Sequence, residues 1–355
     1  MSGADASLAL PPPTRRGGRR ARVSGILGTL SSVPITLFGL ILITFLIGRV
    51  MPIDPVIAIV GDHAPPDVIA RVRLELGLDR PLPVQFGIYL LRLLHGNLGH
   101  SVMTTHAVTE DIATYFPATF ELATAAILLA LVIGIPAGVI AAARQGSRFD
   151  HVVRVVSLAG QSIPVFVLGL VFLLVFYAKL GIAPGTGQID VMYDGLVPRV
   201  TGMMVIDAMI AEQWAVCRDA LAHLAMPTLV LAYFSLAYIT RMTRAFMLDA
   251  LAGEYIVTAR AKGLSGARIL WRHAFANIAV PLVTVVALAY AGLLEGAVLT
   301  ETVFSWPGIG LYLTVSLLNA DMDAVLGATL VIGLIYVILN LLADLSYRVL
   351  DPRTR

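Results

Sequence analysis

Six apolar segments, each about as long as a bilayer-crossing helix, constrain this chain more than any other feature. A helix needs about 20 apolar residues to cross the hydrocarbon core, where its backbone polar groups must be satisfied internally. Composition agrees, since 58% of the 355 residues are hydrophobic and only 14% are charged. We therefore predict an all-α membrane protein with six transmembrane helices, at residues 28–50, 119–142, 155–178, 223–246, 274–298 and 324–346.

The basic residues predict the orientation of these spans and the division of the chain. Lysine and arginine concentrate in the N-terminal region, in residues 143–154, in residues 241–272 and at the C-terminus, which places both termini in the cytoplasm by the positive-inside rule. Residues 1–27 read as a basic, disordered cytoplasmic tail and 349–355 as a short cytoplasmic tail, around a transmembrane domain at 28–348. The 51–118 segment reads as a small folded external cap, and the external 179–222 segment is net acidic.

Prolines interrupt the first five predicted spans. Each removes a backbone hydrogen bond, so each predicts a bend in its helix. These bends suit spans that line a cavity, although proline is also common in ordinary membrane helices. The residues are Pro34, Pro136, Pro164, Pro227 and Pro281.

Several kinds of catalytic site are missing from the sequence. A phosphate-binding P-loop needs Gly-Lys-Ser/Thr, yet the two lysines, Lys179 and Lys262, each follow alanine. Any ATP hydrolysis must therefore come from a partner. No Gly-x-Ser-x-Gly or His-Glu-x-x-His sequence occurs either, which disfavours an intramembrane hydrolase.

The single cysteine and three clustered histidines bear on redox and metal chemistry. The single Cys217 excludes an intramolecular disulfide and is predicted to lie on the external side of the membrane. His95, His100 and His106 share the first external loop and could meet a metal ion. Their spacing fits neither one helical face nor a known ligand pattern, so we predict no metal site.

A basic stretch, Asp249 to Pro281, separates the fourth and fifth predicted spans. Residues 254–262 have the spacing of a short amphipathic helix, with Ile256 and Ala259 on one side and Tyr255 and Thr258 beside them. Gly263 predicts either the end of that helix or a close backbone approach, and Ser265 is a candidate N-cap for the next helix. The helix either lies in another protein's groove or is a solvated loop that only sets topology.

This stretch resembles the cytoplasmic EAA-type loop of ABC-transporter permeases, in the form used by the dipeptide, oligopeptide and nickel branch. The resemblance rests on Tyr255, on Thr258 to Leu264, on Arg272-His273-Ala274 and on Asn277 and Pro281, with Val257-Thr258-Ala259 at the Glu-Ala-Ala positions. It extends to Gly77–Pro83, Ser162–Phe166 and Trp306-Pro307-Gly308. It implies a type I ABC importer-like permease whose loop 247–273 carries a coupling helix that docks on an ATPase. The implied coupling residues are Tyr255, Thr258, Ala259, Arg260, Ala261, Lys262, Gly263 and Leu264.

The resemblance also implies a cellular setting. It predicts a multi-pass protein of the cell (plasma or inner) membrane, paired with a homologous second permease, two cytoplasmic ATPase subunits and an extracytoplasmic solute-binding protein. The substrate would be a dipeptide or oligopeptide, with nickel chelates and haem-like compounds as alternatives. This chain itself would hold no cofactor, because ATP and magnesium bind the ATPases. It would bind no nucleic acid. A proton-coupled secondary transporter remains a less favoured alternative, since it would need more spans, inverted repeats and several buried acids.

Four polar residues in or beside the spans are candidates for the translocation pathway or a gate. Burying such groups in lipid is costly, so they pair with protein groups or face water. Glu301, Asn340 and Asp344 match positions of the resembled family, and structural contacts are their favoured role. Glu295 stands where that family more often has glycine, which makes it a candidate to meet a peptide amine or another cation.

Overall fold

The computed structural model describes residues 18–50, 55–61, 63–75 and 77–350. Apart from one antiparallel bridge between His100 and Ala107, the regular elements of these described residues are helices. They are α1 (Gly18–Val50), α2 (Pro55–Val60), α3 (Pro66–Glu75), α4 (Leu82–Leu94), α5 (Val108–Ala143), α6 (Arg148–Ser162), α7 (Val165–Lys179), α8 (Met204–Ile210), α9 (Trp214–Leu251), α10 (Glu254–Ala261), α11 (Gly266–Phe304), α12 (Ile309–Leu318) and α13 (Met322–Leu350), with a short 3-10 turn at Val191–Tyr193.

Four of these helices, α5, α9, α11 and α13, are long and apolar enough to cross a membrane, and α6 with α7 makes a fifth candidate. The described apolar part of α1, Val33–Arg49, is shorter. The prediction of an all-α membrane protein is confirmed at this level. The count of six spans stays a prediction.

The third predicted span, 155–178, is not one straight helix. Its chain divides into α6 and α7, which meet at 101°. Pro164 lacks an N–H and pushes the residue before it out of the helical region, and Ile163 is indeed extended, at φ −90° and ψ 122°. The bend predicted at Pro164 is confirmed, whereas Pro136, Pro227 and Pro281 lie inside continuous helices.

The predicted N-terminal tail, residues 1–27, overlaps the start of α1. Residues 1–17 lie outside the described part of the chain, but residues 18–27 are helical and form the start of α1. Arginine and alanine are good helix formers, so the helix of the apolar segment extends back through them. At the other end α13 runs to Leu350, past the predicted boundary at 348, and residues 351–355 lie outside the described residues.

The predicted external cap is divided between separate helices. Residues 108–118 belong to α5, which begins well before the predicted span. The helix α4 packs on α1, where Phe86 makes edge contacts with Phe38 and Phe45, with ring centroids 5.8 and 5.2 Å apart. Part of the segment is therefore held against the first apolar helix.

The centre of the bundle is the packing of α5 on α9 and α11. Small residues let α5 and α9 approach closely, as is usual between membrane helices. A Cβ placed on Gly138 would lie 2.7 Å from the carbonyl oxygen of Thr240, so glycine is needed there. The buried core above this contact includes Ala126, Ala130, Leu231, Ile239 and Leu293.

The two ends of the bundle differ in kind. We call the end with α10, the last turn of α9 and the first turn of α11 the α10 end. The far end holds the start of α5, the end of α11, and α8 and α12. The basic stretch with α10 thus lies at the α10 end, and the acidic segment 179–222 contributes to the far end.

Candidate docking helix and pathway residues

The short helix α10 packs on a small apolar cluster at the α10 end of the molecule. Its inward residues, Ile256 and Ala259, are buried, as the sequence pattern predicted. They pack in a cluster with Val139 of α5, Met247 of α9 and Ile278 of α11, among other residues. The helix is therefore fixed to three of the long apolar helices at once.

The end of α10 is a Schellman motif. Gly263 has φ +72°, a conformation that residues with a Cβ rarely adopt. Its N–H donates to the carbonyl of Arg260 at 2.9 Å, and the N–H of Leu264 donates to the carbonyl of Ala259 at 3.3 Å. Leu264 also packs against the cluster that holds Ala259, as this motif usually requires. The predicted helix end at Gly263 is confirmed.

The outward face of α10 is exposed in this single chain. Val257 is 65% exposed and Tyr255 is 41% exposed, although apolar side chains usually avoid water. The remaining outward residues are also exposed: Thr258, Arg260, Ala261 and Lys262. A Cβ on Gly263 would meet no atom within 4 Å, so the space beside it is open. This face combines an apolar centre with a basic rim.

Two details of the sequence prediction change. Tyr255 and Thr258 were placed beside the inward residues, but both lie on the exposed face. Ala259, one of the coupling residues that the resemblance implies, is buried against this chain. The helical pattern placed Ile256 and Ala259 correctly on the inward side, but it did not place Tyr255 and Thr258 on the exposed side.

Glu301, at the far end of α11, is completely buried in a network of donors. The hydroxyl of Thr119 donates to Oε1 at 2.6 Å, and the backbone N–H groups of Gly310 and Leu311 donate to Oε2 at 2.7 and 3.0 Å. The same hydroxyl accepts the N–H of Ile309 at 2.8 Å. Glu301 therefore ties α11 and the first turn of α12 to α5 and presents no open surface to a passing substrate.

The Trp-Pro-Gly motif after Glu301 packs directly against this network. A Cβ on Gly308 would overlap the carboxylate of Glu301, and one on Gly310 would lie 2.8 Å from its Oε2. Trp306 is fully buried, and its indole N–H donates to the carbonyl of Ala118 at 2.9 Å. The favoured structural role of Glu301 agrees with this geometry.

Glu295, two turns earlier on α11, is placed differently. Its side chain is exposed in the single chain. Gly292 and Gly296 flank it, and a Cβ on either would meet nothing within 4 Å. The result is an open stretch of α11 with one carboxylate, between the buried Glu301 and the α10 end.

The other two pathway candidates, Asn340 and Asp344, lie on α13. Asn340 is partly buried in the helix. Asp344 lies in the same helix, but its side chain is outside the described part of the structure. Their predicted roles remain predictions.

Carboxylates of the far end satisfy backbone N–H groups of the acidic segment. Buried Glu121 accepts from Met204 N at 3.1 Å and Val205 N at 2.9 Å, which caps the start of α8. Asp207 accepts from the N–H groups of Val200, Thr201 and Gly202 and from the hydroxyl of Thr201. Burial raises the pKa of Asp207, but these four hydrogen bonds outweigh it and leave the pKa below its usual value. The net acidity of the segment had suggested no such role.

The cysteine and the histidines have ordinary neighbours. Cys217 is buried in a small cluster with Ala208 and Val216 at the far end. His106 lies 3.6 Å from Asp111, whereas the ring of His95 contacts the carbonyl of Leu91. Among the described residues, no group of three metal-ligating side chains is close enough to hold an ion.

Comparison with known proteins relates this geometry to a family. Residues 134–355 match the family described as binding-protein-dependent transport system inner membrane component, and residues 26–123 match its N-terminal region. The chain is 44% identical to the probable D,D-dipeptide transport system permease protein DdpB of Escherichia coli K12, over 89% of this chain and 92% of that protein. It is 43% identical to the di/tripeptide transport system permease protein DppB of Pseudomonas aeruginosa, over 90% of this chain and 95% of that protein.

Proposed function

The chain belongs to the family of binding-protein-dependent transport system inner membrane components, and on that basis we propose that it is one of two permease subunits of an ATP-driven importer of dipeptides or short oligopeptides. The observation that carries the proposal is the exposed face of α10, fixed to three long helices within a chain that has 40–44% identity to dipeptide permeases. The peptide substrate follows from what those relatives are named to transport.

In this proposal six spans cross the membrane: α1, α5, the α6–α7 pair, α9, α11 and α13. The α10 end and both termini face the cytoplasm, because the arginine-rich segments gather there. The far end faces outward and receives peptide from an extracytoplasmic binding protein. A homologous second permease completes the pathway.

The exposed face of α10 is the contact with one of two cytoplasmic ATPases. Val257 and Tyr255 supply the apolar centre of that contact, and Arg260 and Lys262 supply charge at its rim. ATP and magnesium bind the ATPases, since this chain has no Gly-Lys-Ser/Thr sequence.

Movement of the ATPases is transmitted to the pathway through the buried cluster that holds α10. Because Ile256 and Ala259 share a buried cluster with residues of α5, α9 and α11, a displacement of α10 moves those helices with it. The pathway itself lies along the open stretch of α11. There the carboxylate of Glu295 meets the ammonium group of a passing peptide.

The substitution Gly263→Trp tests the docking role. It adds bulk in the open space beside α10 and places a side chain at φ +72°, which costs about 1–2 kcal/mol of local strain. The complete importer, reconstituted with its binding protein and ATP, should lose uptake of a labelled dipeptide while the membrane subunits still assemble.

Gly146→Trp is the matched control. Gly146 lies at the same end between α5 and α6, has φ +78°, and a Cβ there also meets nothing within 4 Å. It carries the same strain away from α10, so uptake should survive. Wild-type uptake by Gly263→Trp, or equal loss in both variants, would refute the docking role. Failure of the wild-type importer to take up any dipeptide would refute the peptide substrate.

A further inference from the structure

A groove between α6 and α9 opens near the α10 end of the molecule. Its volume is about 280 Å³, and its lining residues include Val153, Leu158, Arg154, Arg241 and Arg244. Arg241 lies ten residues before the end of α9, which is about 15 Å along the helix at 1.5 Å per residue. The groove is thus at the depth where the apolar helices give way to the basic end.

The three arginines have unequal partners. Arg244 forms a two-bond ion pair with buried Asp150, with Nη2 to Oδ2 at 2.9 Å, and Gly146 N also donates to that carboxylate. Arg241 donates to the neutral side chain of Gln161 at 2.6 Å. Arg154 donates no hydrogen bond to another described residue. Two guanidinium groups at this groove therefore have no carboxylate hydrogen-bonded to them in the described part of the chain.

The surface around the groove is apolar. Val152, Val155 and Leu158 project outward from α6, and each is about 60% exposed. A helix with one apolar exposed face and arginines at its edge suits the boundary between acyl chains and headgroups. Guanidinium forks match phosphate oxygens, and basic pockets between membrane helices on the cytoplasmic side bind anionic headgroups.

We propose that this groove binds an anionic phospholipid of the inner leaflet, with its phosphate between Arg154 and Arg241 and its acyl chains along Val155 and Leu158. Arg244, held by Asp150, orients the floor of the site. A lipid fits better than a soluble phosphate because exposed apolar side chains of α6 flank the arginine-lined groove.

The test compares lipid binding by the complete importer in phosphatidylcholine nanodiscs that contain increasing phosphatidylglycerol. Native mass spectrometry of the released complex gives the half-saturating fraction of phosphatidylglycerol. The double variant Arg154→Gln/Arg241→Gln should weaken the apparent affinity for phosphatidylglycerol about thirty-fold, as the loss of two arginine contacts near a membrane surface predicts, and should stay below half-saturation at fractions that saturate the wild type. Arg154→Lys/Arg241→Lys keeps the charge but loses the fork geometry, so its binding should lie between that of the wild type and that of the glutamine variant.

Arg148→Gln is the matched control, because it removes one arginine from the exposed start of α6 but lies outside the groove. It should bind phosphatidylglycerol as wild type does. Three results would overturn the proposal: wild-type binding by the double glutamine variant, displacement of the lipid by inorganic phosphate, or loss of the second permease subunit from that variant, which would make the groove a protein interface.

Discussion

Replacement of Glu301 should reveal a structural tie and not a transport residue. Glu301→Ala removes the acceptor for three buried donors: the hydroxyl of Thr119 and the N–H groups of Gly310 and Leu311. Each buried donor without a partner costs about 1–3 kcal/mol, so the loss is about 3–6 kcal/mol after partial relaxation. Glu301→Gln keeps one oxygen for the two backbone groups and misplaces only the hydrogen bond of Thr119, at about 1 kcal/mol.

Gly308 supplies an independent check on the same contact. It has φ −100°, which alanine adopts freely, so Gly308→Ala acts only through the overlap of its Cβ with the Glu301 carboxylate. Gly308→Ala alone should therefore be destabilising, whereas in the Glu301→Ala background it should add little. Residues in direct contact typically couple by 0.5–3 kcal/mol in such a cycle.

The assay is the thermal midpoint of the purified importer, with dipeptide uptake measured on the same preparations. At roughly 2–4 °C per kcal/mol, Glu301→Gln should lower the midpoint by about 3 °C and Glu301→Ala by about 10 °C. Uptake should fall in proportion to the loss of folded complex. A glutamine variant that keeps its midpoint but loses transport would show that the carboxylate acts on substrate or protons, and the structural assignment would be wrong.

Three further predictions concern other parts of the chain. With the buried Cys217 replaced by alanine, and in vesicles that hold no ATPase subunits, a membrane-impermeant maleimide should label Val191→Cys only from outside and Val257→Cys only from inside. These residues are 88% and 65% exposed in the single chain, and the reverse pattern would overturn the topology. Glu295→Gln should reduce uptake of cationic dipeptides more than that of neutral ones, with assembly unchanged, and equal reduction would assign it a structural role. Asp207 has a lowered pKa in the folded state, so its stabilisation is complete above the ordinary aspartate pKa of about 4 and is lost as the pH falls through the lower folded value. Asp207→Asn should therefore lower the thermal midpoint at neutral pH and weaken its decline on acidification, and an unchanged pH profile would count against the hydrogen-bond account.

Local patterns in the sequence were enough to predict the helical class and the end of α10. Apolar length marks the long helices, and Gly263 marks a left-handed stop, because both signals depend on residues near in sequence. The bend at Pro164 was predicted for the same reason, since proline acts on its own helix. Its angle of 101° was not predicted, because it depends on how α7 packs against α9 and α11.

The roles of the acidic residues could not be predicted this way. Glu301 and Thr119 are 182 residues apart, and Glu121 and Val205 are 84 apart, so no periodic pattern links them. An acid in an apolar segment signals only that some partner exists. Whether that partner is the protein's own backbone, as for Glu301 and Glu121, or lies outside the single chain, as proposed for Glu295, depends on the folded structure.

The position of these features along α11 connects them. This helix begins next to α10, and its residues Ile269 and Ile278 belong to the cluster on which α10 packs. Its last turn holds Glu301 in a hydrogen-bond network with α5 and α12. Between the two lies the open stretch with Glu295. The π-helical turn Ile269–Ala274 and Pro281 both lie in the half of α11 nearer to α10. The features that make this helix easier to bend are therefore at its start. A movement of α10 should thus bend α11 near its start and leave the Glu301 network intact.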